Sequence, residues 1–142
     1  MIEDGSLFTY GTLMVPEIIS SLLKRPLEGE PVTLLRYRRG LIRHERYPGI
    51  LPSEKHSVSG VLYRNISSHE FQILNDYEGD LYQLEVVDVS HENRQQQERA
   101  FSYVLKMEFS RLLTEVEWSL DHFILHDLDS FLTGYQGFQN KD

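Results

Sequence analysis

Ser6-Leu7-Phe8-Thr9-Tyr10-Gly11-Thr12-Leu13-Met14 is a short β-prone run that meets a glycine and leads at once to Pro16. The pattern predicts a strand stopped by a turn at Gly11. A helix then begins near Pro16, because proline is tolerated at the first helical position, where no intrahelical N–H bond is lost. A turn of this kind leaves successive backbone N–H groups without ladder partners, and the helix start adds positive partial charge. The junction therefore favours a carboxylate or a developing oxyanion. The same junction also serves as a plain structural connection.

Working outward, Pro26, Gly29 and Pro31 break the chain, and Val32 to Tyr47 reads as one or two strands bent near Gly40 and closed by a turn at Tyr47-Pro48-Gly49. Val58 to Ile66 is another strand. Ser67 followed by Glu70 is a capping-box pattern opening a helix through Phe71, Ile73 and Leu74, and Gly79 is placed to end it. Leu81 to Val89 and Arg99 to Lys106 read as strands joined by the polar hairpin His91 to Gln97. A last helix is expected over 117–132, with Trp118, Leu120, Ile124, Leu125, Leu128, Phe131 and Leu132 as its apolar stripe. Few helices alternate with strands and several strands are hairpin neighbours, which predicts an α+β fold with a mainly antiparallel or mixed, curled sheet.

The chain has 142 residues, a formal net charge of −8 and 40% hydrophobic residues, which suits a single domain, 1–142, with a real core. No cysteine is present, so disulfides, thiol nucleophiles and thiolate metal sites are excluded. The first residues, Met1 to Ser6, are acidic rather than signal-like, and no apolar run approaches the ~20 residues that span a bilayer. A cytoplasmic protein with neither membrane nor nucleic acid as partner is the expectation. The basic stretch Arg36 to Arg46 carries five arginines and one glutamate. Strand alternation would place Arg36 and Arg38 on one face and Arg39 on the other, so solvated strand positions compete with a nucleic-acid stripe there. His122 and His126, with Asp121 and Asp129 nearby, have helical spacing for metal ligands but belong beside the wetter face of their helix. No metal site is expected. Asp76, Glu78 and Asp80 alternate as in a calcium loop, yet Leu81 stands where that loop needs glycine.

The second chemically loaded stretch is Asn75-Asp76-Tyr77-Glu78-Gly79-Asp80-Leu81-Tyr82. At a helix C-terminus the macrodipole disfavours negative charge on Glu78, and Asp76 and Asp80 add like charge. Both effects push its carboxyl toward neutrality, where a carboxyl carries protons in either direction. A solvated acidic turn is the bland alternative.

Tyr10-Gly11-Thr12-Leu13, Tyr47-Pro48-Gly49, Gly60-Val61-Leu62-Tyr63 and Asp76-Tyr77-Glu78-Gly79 followed by Tyr82 occur in an order and at a spacing that resemble the γ-glutamylcyclotransferase-like (AIG2-like) family, over roughly Leu7 to Lys106. The resemblance implies a small β-barrel flanked by helices and a small-molecule γ-glutamyl substrate, with no cofactor. It implies Glu78 as catalytic acid–base, with Tyr10, Gly11, Thr12, Leu13, Tyr82 and Tyr103 around the substrate. Leu84 stands where many members carry a basic residue. The implied reaction turns a γ-glutamyl amide into 5-oxoproline and a free amine through attack of the substrate's own α-amine, so it asks for no protein nucleophile and no metal. Trp118, Phe123, Tyr135 and Phe138 are expected to cap one end of the barrel, with a surface that meets a partner as the alternative. A non-catalytic binding module with the same pocket is the main alternative reading, and a nucleic-acid protein the third.

Overall fold

The structure, a computed structural model, describes residues 4–91, 96–129 and 132. Strand β1 (Gly5–Thr9) leads through a 3₁₀ turn at Thr12–Met14 into helix α1 (Pro16–Leu23). Strands β2 (Gly29–Leu41) and β3 (Pro48–Ile66) follow, then helix α2 (Ser68–Glu78), strands β4 (Tyr82–His91) and β5 (Gln97–Leu105), and helix α3 (Leu120–His126). The strands close into a barrel in the order β1-β3-β2-β4-β5. The pairings are antiparallel except the one that shuts the barrel, where β1 runs parallel to β5 with Leu7 opposite Phe101. The fold is α+β, a mixed, mainly antiparallel barrel flanked by helices.

The barrel is filled by alternating positions of its strands, among them Phe8, Tyr10, Val32, Leu34, Leu62, Val87 and Val104. A second apolar layer lies between the outer face and the helices, where Leu7 and Tyr63 meet Ile18 and Ile19 of α1 and Phe71 and Leu74 of α2. Phe71 and Leu74 are fully buried, each stabilising the fold by about 1.5–3 kcal/mol. β1 is covered on both faces, and its run Leu7 to Tyr10 is accordingly buried without alternation.

Helix α2 begins as the capping pattern requires. The Ser67 side chain accepts from the Glu70 N–H at 3.1 Å, while the Ser67 N–H donates to the Glu70 carboxylate at 3.0 Å. Arg25, just past α1, grips the same carboxylate at 2.7 and 3.0 Å and holds its pKa below the usual range. The helix ends at Gly79, with φ 80° and ψ −161°, a conformation open almost only to glycine.

Four expectations change. Tyr47-Pro48-Gly49 is not the turn: Pro48 and Gly49 already pair with Leu41 and Gly40, and the bend lies just before them. Proline is acceptable there because it opens the strand. The strand expected to start at Val58 starts at Pro48, and its polar stretch Ser53 to Ser57 has no core-facing alternation to reveal it. The pairing of β2 with β3 is interrupted between Leu35 and Tyr37, where Arg36 takes φ 67°, so Arg36 drops out of the expected alternation while Arg38 and Arg39 keep it. The final helix starts at Leu120 rather than at 117, behind the capping side chain of Ser119, and runs to His126 before a turn at Asp127. Trp118 and Phe123 are buried, while Ile124 and Leu125 of the expected stripe are exposed. Phe131, Tyr135, Phe138 and most of the expected polar hairpin lie outside the described residues. No helix among the described residues is long and apolar enough to cross a membrane.

Candidate functional site

Where β1 runs out and α2 ends, the barrel opens into a narrow hollow lined by Phe8, Thr9, Tyr10, Gly11, Thr12, Leu13, Tyr47, Pro48, Glu78, Tyr82 and Tyr103. Every residue singled out from the sequence for this purpose is in that lining. Phe8, Thr9, Tyr47 and Pro48 join them. The tripeptide Tyr47-Pro48-Gly49 is visible as a motif, but only the folded chain shows that Tyr47 and Pro48 form a wall.

The turn after β1 is held from behind. The carbonyl of Phe8 accepts from the Ser102 hydroxyl at 3.1 Å, that of Tyr10 from the Arg39 guanidinium at 2.9 Å, and that of Leu13 from the Tyr63 hydroxyl at 3.1 Å. The Gly11 carbonyl takes the Met14 N–H at 2.9 Å. The N–H groups of Gly11, Thr12 and Leu13 find no acceptor among the described residues. A row of backbone donors without partners beside an open hollow is a site for an anionic oxygen. Gly11 has to be glycine, because a Cβ there would lie 2.8 Å from Cγ and 2.9 Å from Cδ of the rigid Pro48 ring.

Glu78 enters from the other side, on the last residue of α2. That helix end is tied to the turn by the hydrogen bond between the Thr12 and Tyr77 hydroxyls at 3.0 Å, although 65 residues separate them. It is tied to β5 by the Tyr103 hydroxyl, which donates to Asn75 Oδ1 at 2.6 Å. Tyr10 donates to the Tyr103 carbonyl at 2.5 Å, and Tyr82 donates to the Pro48 carbonyl at 2.7 Å. These tyrosines are thus bound to the frame rather than to the carboxyl.

Burial pushes the Glu78 carboxyl up to about 8. The physical cause differs from the one read in the sequence: desolvation raises it, while Asp76 and Asp80 are exposed and turned to water. The carboxylate's charge is felt by Tyr10, Tyr47, Tyr82 and Tyr103, whose hydroxyls are themselves raised by burial first and by Glu78 second or later. They remain neutral donors. Among the described residues no group of three or more histidine, aspartate or glutamate side chains converges as metal ligands. His122 and His126 have ring centroids 4.4 Å apart, and neither is among the residues of the lining.

The family profile described as gamma-glutamyl cyclotransferase, AIG2-like, matches residues 7–120. The chain belongs to that family. AIG2-like protein C of Arabidopsis thaliana is 28% identical over 132 residues, covering 93% of this chain and 76% of that protein. AIG2-like protein D of the same plant is 33% identical over 84 residues, covering 59% of this chain and 55% of the other. A protein of Arabidopsis thaliana solved in solution shares the fold with a TM-score of 0.71 at 22% identity, covering 93% of this chain and 79% of its own. A structure titled gamma-glutamyl cyclotransferase shares it with a TM-score of 0.64 at 16% identity, covering 73% and 68%. The AIG2-like chain therefore carries the family's barrel, with its described hollow at the junction of β1 and α2.

Proposed function

We propose that this AIG2-like chain is an enzyme that converts a γ-glutamyl amide to 5-oxoproline and a free amine, with Glu78 as the acid–base and no metal required. One observation carries the reading: a desolvated carboxyl and a row of unpaired N–H groups line the same hollow. The substrate's α-ammonium gives a proton to the Glu78 carboxylate, and the freed amine attacks the γ-carbonyl of its own chain. Glu78 hands that proton to the leaving nitrogen as its C–N bond breaks. It then takes the second proton from the new ring nitrogen and passes it to the departing amine. Both protons move from one nitrogen to the other, and Glu78 returns to its starting state.

The raised carboxyl suits this work. A terminal amine titrates near ~8, raised somewhat by an adjacent carboxylate, so Glu78 at about 8 exchanges protons with it at little energetic cost. The N–H groups of Gly11 to Leu13 take the developing oxyanion or the substrate's own carboxylate, and holding the chain bent can supply ~7–11 kcal/mol.

Incubation with γ-glutamyl dipeptides and γ-glutamyl-lysine is expected to release 5-oxoproline and amine in equal amounts. No product from any of them would leave a binding module in place of an enzyme. The pH profile of kcat/KM is expected to be bell-shaped, with its acid limb near 8. Below that pH the free carboxyl already holds the proton it must accept, and well above it the substrate amine has lost the proton to be relayed. A rate flat from pH 5 to 8 contradicts Glu78 as the proton acceptor. Gly11→Ala is expected to lower kcat/KM by ~10²-fold, because the turn must shift by a fraction of an ångström or more away from Pro48. Near-normal activity in a folded Gly11→Ala variant would remove the turn from the reacting geometry.

A further inference from the structure

Arg39 belongs to the basic stretch in which solvated strand positions compete with a nucleic-acid stripe, and it sits behind the turn. Its guanidinium donates to the Tyr10 carbonyl at 2.9 Å and to the Ser59 carbonyl at 3.2 Å. Its Nε is gripped by Glu117 at 2.8 Å, and its Cζ lies 5.6 Å from the centre of the Trp118 ring. Trp118 is fixed in turn, donating from Nε1 to the Arg46 carbonyl at 2.9 Å, one residue before Tyr47 in the opposite wall of the hollow. The segment carrying Glu117 and Trp118 is seated along the end of β2: the Leu41 N–H donates to the Val116 carbonyl, and the Thr114 N–H donates to the Leu41 carbonyl.

The Tyr10 carbonyl and the Gly11 N–H are two ends of one peptide unit. A cation on the oxygen withdraws electron density from the nitrogen, so the N–H becomes a stronger donor. Gly11 lines the hollow, and its N–H has no acceptor among the described residues. We propose that Arg39 is a positioning residue for this site: clamped by Glu117 and Trp118, it holds the Tyr10 carbonyl and thereby both fixes and polarises the Gly11 N–H that receives an anionic oxygen. The segment after β5 is then the brace that sets the site, rather than a cap on the barrel alone. This rests on the reading of the hollow as a γ-glutamyl site, but its central claim concerns one amide group and can be measured without turnover.

The experiment compares the parent chain with Arg39→Gln, Arg39→Lys and Glu117→Gln by ¹H–¹⁵N spectroscopy, by titration with glutarate as carboxylate probe, and by kinetics. In Arg39→Gln the Gly11 amide proton is expected to move upfield while that of Gly79, bonded to Asn75 at 3.1 Å, stays in place. Glutarate affinity and kcat/KM are expected to fall about 10-fold or more, the worth of a hydrogen bond to a charged group. A fall in kcat assigns the donor to the oxyanion and a rise in KM assigns it to the substrate carboxylate. Arg39→Lys keeps the charge without the fork and is expected to recover part of both. Glu117→Gln removes only an exposed anchor and is expected to move Gly11 in the same direction by less, which keeps the test decisive if Arg39→Gln fails to fold. An unmoved Gly11 amide in a folded variant, or glutarate affinity unchanged without Arg39, overturns the proposal. Absence of 5-oxoproline in the parent chain would sink the γ-glutamyl reading while leaving the amide shift to be judged separately.

Discussion

Glu78→Gln is expected to lower turnover by about 10²–10⁴-fold, the usual worth of a positioned acid–base group, while the protein stays folded and still binds product. The amide has the carboxyl's shape and no charge, so it fits the hollow that already favours the neutral form of the side chain. It accepts no proton from an ammonium and returns none to a leaving amine. The frame around it does not depend on the carboxyl: Tyr10, Tyr82 and Tyr103 bond to Tyr103 carbonyl, Pro48 carbonyl and Asn75. Binding of 5-oxoproline by calorimetry, circular dichroism and initial rates together check the point. A folded variant that cyclises at the parent rate would remove Glu78 from the mechanism.

The same substitution is expected to stabilise the protein, and increasingly so as pH rises. Between about 4.5 and about 8 the folded protein keeps a proton on Glu78 that the unfolded chain has released. Folding then takes up protons, so stability falls with rising pH across that window and levels off above it. The interval from 4.5 to about 8, at 1.36 kcal/mol per pH unit, is worth at most about 5 kcal/mol, reduced where water reaches through the open mouth of the hollow. Glutamine escapes this penalty. Its melting temperature is therefore expected to match the parent near pH 5 and to exceed it by several degrees at pH 8–9, at ~2–4 °C per kcal/mol for a domain of this size. A constant difference at all pH values, or a less stable variant at pH 8, contradicts a carboxyl held in a desolvated place. The two expectations oppose each other in sign, loss of turnover with gain of stability. That combination separates a working acid from a residue that merely holds the fold.

The helix starts and stops were legible because they are settled within one turn of chain. Pro16, Ser67 with Glu70, and Gly79 each act on their own neighbours, and each stands where its chemistry requires. Strand β3 was half legible, since Val58 to Ile66 alternates but Ser53 to Ser57 does not. Its pairing with β2 follows from register across the hairpin rather than from its own residues. The places of Arg39 and Tyr47 were not legible: Arg39 finds the Tyr10 carbonyl and Tyr47 a wall of the hollow only once distant segments pack together, and neither contact is encoded by periodicity.

By itself, the order of residues determined the α+β class, the capping of α2, the glycine turn after β1 and the chemical character of the acid that follows Tyr77, because those depend on local hydrogen bonds and side-chain type. Tertiary structure alone decided that β1 shuts the barrel against β5, that Thr12 meets Tyr77, and that Glu78 is partly buried in a place that raises its carboxyl pKa. Desolvation depends on which distant segments surround a group, so a raised carboxyl pKa exists only once the barrel has closed and brought a turn and a helix end to the same hollow.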